Sequence, residues 1–218
     1  MKDLIIFGAG DIAQLADFYF SRDGKYNVRA FVVDDAYKKQ DEFCGKPVIG
    51  ASTLLKTYPP EKVSAFVAIS YAEMNKVRER KYLELKKMGY SIATYVSPDA
   101  TCLTEHVGEN CFILEDNTLQ PFCKIGNNVT LWSGNHIGHH SQIGDNTFIS
   151  SHVVVSGGVK IGKNCFLGVN STLRDHITLG DETMVGAGAM LTRDTAAREV
   201  HRAPKSEKIE RTSDQIKI

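Results

Sequence analysis

The sequence predicts a parallel α/β unit followed by a parallel β-helix, and two different periodicities divide the chain between them. Through residue 97, apolar strand-like runs alternate with helical stretches, the βαβ pattern of a parallel sheet with helical crossovers. Over residues 107–191 every sixth residue is Ile, Leu or Val. The first unit is expected over 1–97, the second over 98–194, and a tail over 195–218.

Leu4-Ile5-Ile6-Phe7 is a continuous apolar run, as expected of a strand buried on both faces. Gly8-Ala9-Gly10 makes a turn, after which Ile12, Leu15, Ala16, Tyr19 and Phe20 recur at helical spacing. A second strand is expected over 27–33, ending in Asp34 and Asp35, and a third over 64–70. Residues 73–88 read as a charged amphipathic helix stopped by Gly89. A short strand over 91–96 leads to Pro98, where the boundary is placed.

Stepping by six from Val107 through Ile113, Leu119 and onward to Leu191 gives fifteen consecutive matches. The next position is Gly in eight of them, which permits a tight corner. The fifth position is small or β-branched in most hexads, among them Val129, Ser141, Thr147 and Ala189. An amphipathic α-helix repeats near 3.6 and is excluded. A period of six marks a parallel β-helix, each hexad forming one side of a triangular coil with its apolar residue toward the axis. Three hexads close a coil, so residues eighteen apart stack and the run makes five coils without insertion. A stalk with no chemistry would account for the repeat by itself.

Lys and Arg together number 26, as do Asp and Glu, so no global field favours nucleic acid or an anionic membrane, and any phosphate site must be local. The apolar run at the N-terminus is too short for a secretion signal, and no stretch approaches the roughly 18 apolar residues of a membrane helix. A cytoplasmic protein is expected. The five cysteines show no CxxC pair, which argues against a disulfide framework or a zinc site. Cys111, Cys123 and Cys165 fall at inward fifth positions and read as core.

Histidines supply the candidate chemistry: Asn135-His136-Ile137-Gly138-His139-His140, with His152 and His176 beyond. Counting from the inward Ile137 puts His139 and His140 at the third and fourth hexad positions, near or outside a corner and accessible. His140 and His176 lie two coils apart on one vertical line, and His152 shares another with Asn170. These imidazoles read equally as exposed polar fillers or as a general base. A metal site is disfavoured, because no carboxylate or cysteine stands at ligand spacing.

Gly8-x-Gly10 between strand and helix resembles a dinucleotide fingerprint, with Ala13 as the third small position, and alone would suggest NAD as readily as anything else. A unit of this size, however, holds one mononucleotide half rather than two. Asp11 is suited to cap a helix starting at Ile12.

Four segments carry a family resemblance: Ile6-Phe7-Gly8-Ala9-Gly10, Phe31-Val32-Val33-Asp34-Asp35, Val67-Ala68-Ile69-Ser70, and, most specific, residues 159–171, which read VKIGKNCFLGVNS. With them, residues 1–204 resemble the bacterial sugar-nucleotide acyltransferases that join a Rossmann-like domain to a left-handed β-helix. That family includes the bacillosamine and perosamine N-acetyltransferases and the sialic acid O-acetyltransferases. The resemblance implies that His139 is the catalytic base, with His140 beside it, and that the Gly157 amide meets the acetyl carbonyl. It implies nucleotide-sugar contacts at Gly8, Gly10, Asp34, Asp35 and Ser70, and acetyl-CoA contacts at His152, Gly157, Gly168, Asn170 and Gly186. It also implies a homotrimer with sites between neighbours, and no metal.

The chain departs from the family in two places. Bacillosamine-type members carry Glu directly after the catalytic histidine and a further His nine residues on, where this chain has His140 and Phe148. Its tail reads Arg202-Ala203-Pro204-Lys205 in place of a Gly-x-Pro-Ala-Lys pattern. The expected activity is N-acetylation of a nucleotide-linked amino deoxy sugar for surface glycans. O-acetylation of a sugar hydroxyl is the alternative, and a non-catalytic nucleotide-sugar-binding scaffold the reading from another class.

Overall fold

A computed structural model gives the fold and describes residues 1–212 and 215. The first unit contains β1 (Lys2–Phe7), α1 (Asp11–Arg22), β2 (Tyr26–Val33), β3 (Glu42–Phe43), β4 (Lys46–Gly50), α2 (Leu54–Thr57), β5 (Ser64–Val67), α3 (Lys76–Lys87) and β6 (Ser91–Ile92). Its sheet runs β3-β4-β2-β1-β5-β6, parallel except for the β3–β4 hairpin. The all-apolar β1 follows from burial on both sides. Leu4 and Ile6 pack with Ala13, Ala16 and Phe20, while Ile5 and Phe7 pack with Tyr82 and Leu85. The chain proceeds from β1 to β2 on one side and returns through β5 on the other. The strand order therefore reverses at β1, where open α/β sheets form their ligand crevice.

Sequence reading missed β4, a short edge-side strand carrying Pro47, and the two-residue β3 that pairs with it. The strand expected over 64–70 stops at Val67. The helix expected from residue 73 starts at Lys76, because Glu73, Met74 and Asn75 occupy the left-handed region at φ of 51°, 51° and 66°. Asn75 is buried in this turn and donates to the Cys165 carbonyl at 3.0 Å. The single strand expected over 91–96 is two strands. β6 closes the first sheet, and β7 (Tyr95–Val96) pairs with Phe112–Ile113 of the solenoid. The passage between sheets thus lies at Ala93 and Thr94, ahead of the expected 97/98 boundary.

The second unit is a three-faced parallel solenoid whose strands pair eighteen residues apart, as in Thr130↔Phe148 and Leu131↔Ile149. Fourteen of the fifteen stepped residues are buried, and Val107 at the open end is partly so. One face, from Tyr95–Val96 to Val200–His201, is covered by the first unit. The next, from Thr101–Cys102 to Met190–Leu191, is open, and Val154 and Met190 stand exposed on it. The third, from Lys124–Ile125 to Thr178–Leu179, carries Lys124, Gln142 and Lys160 outward. Val200–His201 pairs with Met184–Val185, so the coil continues into the segment expected to be tail.

Each coil turns three corners, and the fourth residue of every hexad from 110 to 188 has positive φ. The first corner, from covered to open face, stacks Asp116, Gly134, His152, Asn170 and Gly188. The second, from open to charged face, stacks Phe122, His140, Gly158 and His176. The third stacks Asn110, Asn128, Asn146, Asn164 and Glu182.

Arg78 of α3 fixes one unit on the other. It is 1% exposed, and its guanidinium donates to Thr130 Oγ1 at 3.1 Å and to the carbonyls of Asn128 and Asn146 at 3.0 and 2.8 Å. Burial pushes its pKa down to about 10, which still leaves it charged at pH 7. Arg78→Ala is expected to destabilise the protein by about 3 kcal/mol, because three buried acceptors lose their donor and a void replaces the side chain. A urea midpoint equal to that of the wild type would refute this.

Candidate active site

The crevice at the carboxyl ends of β1 and β5 is a cavity of about 540 Å³. Gly8, Gly10, Asp11, Ser70, Tyr71 and Trp132 are among its lining residues. Gly8 is required by the local backbone: its φ is 129°, and a methyl group there would come 2.5 Å from the Ala68 carbonyl oxygen. Gly10 is the N-cap of α1 and no side chain caps that end, so the first-turn amides lie on the cavity wall. Asp11 is the first helical residue rather than the cap expected from sequence.

Three of the expected substrate residues, Gly8, Gly10 and Ser70, meet in this cavity. Asp34 and Asp35 do not line it. Asp34 accepts from Lys81 Nζ at 2.7 Å, and Asp35 accepts from the Ser52 hydroxyl at 2.9 Å and covers Gly50. Sequence reading missed Tyr71 and Trp132. Tyr71 is 51% exposed and its ring packs on Phe148 and Phe166, with centroids 5.1 and 4.8 Å away. Trp132 Nε1 is buried without a partner among the described residues. Tyr71 follows Ser70 on the same segment, whereas Trp132 reaches the cavity only because the solenoid docks on the first unit, and no local sequence signal encodes that.

His139 and His140 stand exposed at the second corner. Their Nδ1 atoms are 3.0 Å apart, and the His139 N–H donates to Gln120 Oε1 at 2.9 Å. The His139 ring lies on the glycine one coil above: a methyl group at Gly157 would come 2.6 Å from Cε1 and 2.7 Å from Nε2. Among the described residues the Gly157 N–H has no acceptor, whereas the Gly158 N–H donates to the His139 carbonyl at 2.8 Å. An imidazole and a free amide thus share one open corner.

The residues expected to meet acetyl-CoA separate into two groups. His152 and Asn170 occupy the first corner, with Gly168 and Gly186 immediately before its turns, while Gly157 lies at the second. His152 lays its ring on Gly134 and His176 lays its ring on Gly158, each covering the coil below. Burial pushes the Cys111 thiol up to about 12 and those of Cys123 and Cys165 up to about 11, so none supplies a thiolate nucleophile at pH 7. Among the described residues no group of three or more His, Cys, Asp or Glu is placed to hold a metal ion, and no helix is long and apolar enough to cross a membrane.

Residues 3–85 match the family described as PglD N-terminal domain. Residues 106–139 and 122–157 match the bacterial transferase hexapeptide (six repeats), and 158–193 the hexapeptide repeat of succinyl-transferase. No curated protein matches the chain. Among solved structures, the acetyltransferase domain of PglB from Neisseria gonorrhoeae is 22% identical, with a TM-score of 0.82 over 93% of this chain and 97% of that one. PerB from Caulobacter crescentus, solved in complex with CoA and GDP-perosamine, is 24% identical, with a TM-score of 0.82 over 93% and 95%. WeeI from Acinetobacter baumannii is 19% identical, with a TM-score of 0.70 over 92% and 96%. The fold is the one expected, a Rossmann-like unit joined to a left-handed hexapeptide β-helix.

Trp132 is the single tryptophan of the chain, so a ligand that enters the cavity is expected to change its emission. Titration with nucleoside diphosphates should show this, and Gly8→Ala should weaken the response by about tenfold or more, a loss of roughly 1.4 kcal/mol. Equal titration curves for the two proteins would refute the assignment of the cavity.

Proposed function

We propose that this chain, a PglD-type N-terminal domain joined to bacterial transferase hexapeptide repeats, is an acetyl-CoA-dependent N-acetyltransferase. It acts on the amino group of a nucleotide-linked amino deoxy sugar and works in the cytoplasm, in the synthesis of surface glycans. The observation that carries this reading is the His139 ring lying on Gly157, whose N–H has no acceptor among the described residues, at one open corner. His139 removes the proton as the amine attacks the thioester carbon, and the Gly157 amide receives the charge that develops on the carbonyl oxygen. The C–S bond then breaks, and His139 returns its proton to the sulfur of CoA. The nucleotide occupies the Gly8–Gly10 cavity, its phosphates by the first turn of α1, with Tyr71 and Trp132 against the base or sugar. The PerB structure, which holds CoA and GDP-perosamine on the same fold, supports the pairing of substrates.

A homotrimer completes the site. The cavity and the group His152, Gly168, Asn170 and Gly186 adjoin the first corner, whereas His139 and Gly157 lie at the second. One solenoid face of about six residues, roughly 15–20 Å, separates these corners. If the open face, with its exposed Val154 and Met190, turns toward a threefold axis, the second corner of each chain approaches the first corner of the next. Acetyl-CoA then lies between two chains, against Gly157 of one and the first-corner group of the other.

Thiol release from acetyl-CoA is expected with at least one member of a panel of nucleotide-linked amino sugars. Absence of release with every member would sink the enzymatic reading, and release only with hydroxyl-bearing sugars would turn it to O-acetylation. His139→Ala should lower kcat by about 10²- to 10⁴-fold. At a nucleotide-sugar concentration too low for Gly8→Ala alone to turn over, co-expression of His139→Ala with Gly8→Ala should recover about a quarter of wild-type activity, since random mixing leaves that share of sites intact when two chains build each one. No recovery would place each site within one chain.

A further inference from the structure

The second corner carries a contact that the other corner histidines do not make. His152 and His176 rest on Gly134 and Gly158 of the coil below. The residue below His140 is Phe122, whose ring lies 4.9 Å from the imidazole and holds it off the solenoid wall. The His140 N–H donates to the Pro121 carbonyl at 3.3 Å, and its φ of 61° directs the side chain along the corner. The ring therefore meets His139, with 3.0 Å between the two Nδ1 atoms.

We propose that His140 is a positioning residue for His139, accepting the His139 Nδ1–H so that the lone pair of His139 sits on Nε2, the ring nitrogen turned away from His140. This rests on the reading of His139 as the base. Only one proton fits between two nitrogens 3.0 Å apart. If His140 donated it, a neutral His139 would carry its own proton on Nε2 and could not act as a base. If His139 donates, Nε2 is free, takes the proton of the attacking amine, and passes it on to the departing thiolate. The Nδ1–H stays on His139 throughout, bonded to His140.

Among the described residues no carboxylate lies within ion-pair distance of either ring. The groups packed around the pair are the Gln120 amide, the Phe122 ring and the Gly157 backbone. The titratable side chains along this corner are His176 above and Glu105, His106 and Lys124, which line the recess beneath Phe122. An imidazole in place of a carboxylate has a consequence for pH dependence. Protonation of His140 removes the acceptor, and protonation of His139 removes the base, so both rings must be neutral for turnover.

The test compares His140→Gly, which keeps the left-handed corner without strain, with His140→Asn, which keeps both the corner and an acceptor oxygen. His140→Gly should lower kcat by on the order of 10- to 100-fold with both KM values little changed, and His140→Asn should restore most of that loss. Nitrogen-15 NMR should find His139 as the Nδ1–H tautomer in the wild type and as a mixture in His140→Gly. Wild-type kcat and tautomer in His140→Gly, with His139→Ala inactive, would overturn the positioning role alone. An active His139→Ala would instead overturn the assignment of the base.

Discussion

Each coil of the solenoid must turn three corners, and each corner places one residue in the left-handed region that side chains other than Gly and Asn rarely adopt. That requirement explains most of what the fourth hexad position contains. Five of these residues are Asn and three are Gly, and His140, His152 and His176 are there as well. A corner histidine is thus first a backbone device, and position alone gives it no chemical role. His139 is different. It lies one residue before the strained position and supplies nothing to the turn, and its ring covers Gly157 of the coil above, where His152 and His176 cover glycines of the coil below.

The three corners have become specialised. At the third, Asn110, Asn128, Asn146 and Asn164 form a buried ladder, the amide of each donating to the next at 2.8, 2.8 and 3.3 Å. This ladder is also the docking seam. Asn110 pairs with both backbone groups of Val67 at 2.7 and 3.2 Å, and Asn164 reaches Glu79 at 2.9 Å. Arg78 sits against the same stack and satisfies carbonyls that the corner leaves free. Because the seam is buried and polar at every step, the first unit can dock in one register only. That register brings Trp132 to the glycine crevice and sets Phe148 and Phe166 against the Tyr71 ring.

What could be read from sequence follows from how local each signal is. The repeat was legible because each hexad states the same rule about the same axis, and the register alone put His139 and Gly157 in adjoining coils. β1 and the Gly8 turn were legible because burial on both faces and a tight turn leave local marks. The short strand β4, the left-handed turn before α3 and the split of 91–96 were not. Each is stabilised by partners far along the chain: β4 by β2, the Asn75 turn by Cys165, and Tyr95–Val96 by Phe112–Ile113. Asp34 and Asp35 look like ligand groups in sequence, yet Lys81 and Ser52, distant in the chain, already bind them.

The same regularity limits what a single chain can build. Five coils run without an inserted loop, so within residues 107–191 no segment leaves the solenoid to cover the second corner or to carry a substrate from the first corner to His139. An enzyme with a loop-rich barrel closes its site with its own chain. This fold offers flat faces and straight edges, so any enclosure around His139 must be supplied by another surface. The open face is suited to that purpose: its outward Thr118, His136, Val154, Thr172 and Met190 include no Lys, Arg, Asp or Glu, in contrast to Lys124 and Lys160 on the face beyond. Under the proposed reaction, therefore, the feature that makes the solenoid easy to recognise is also the reason its chemistry belongs to an assembly of chains.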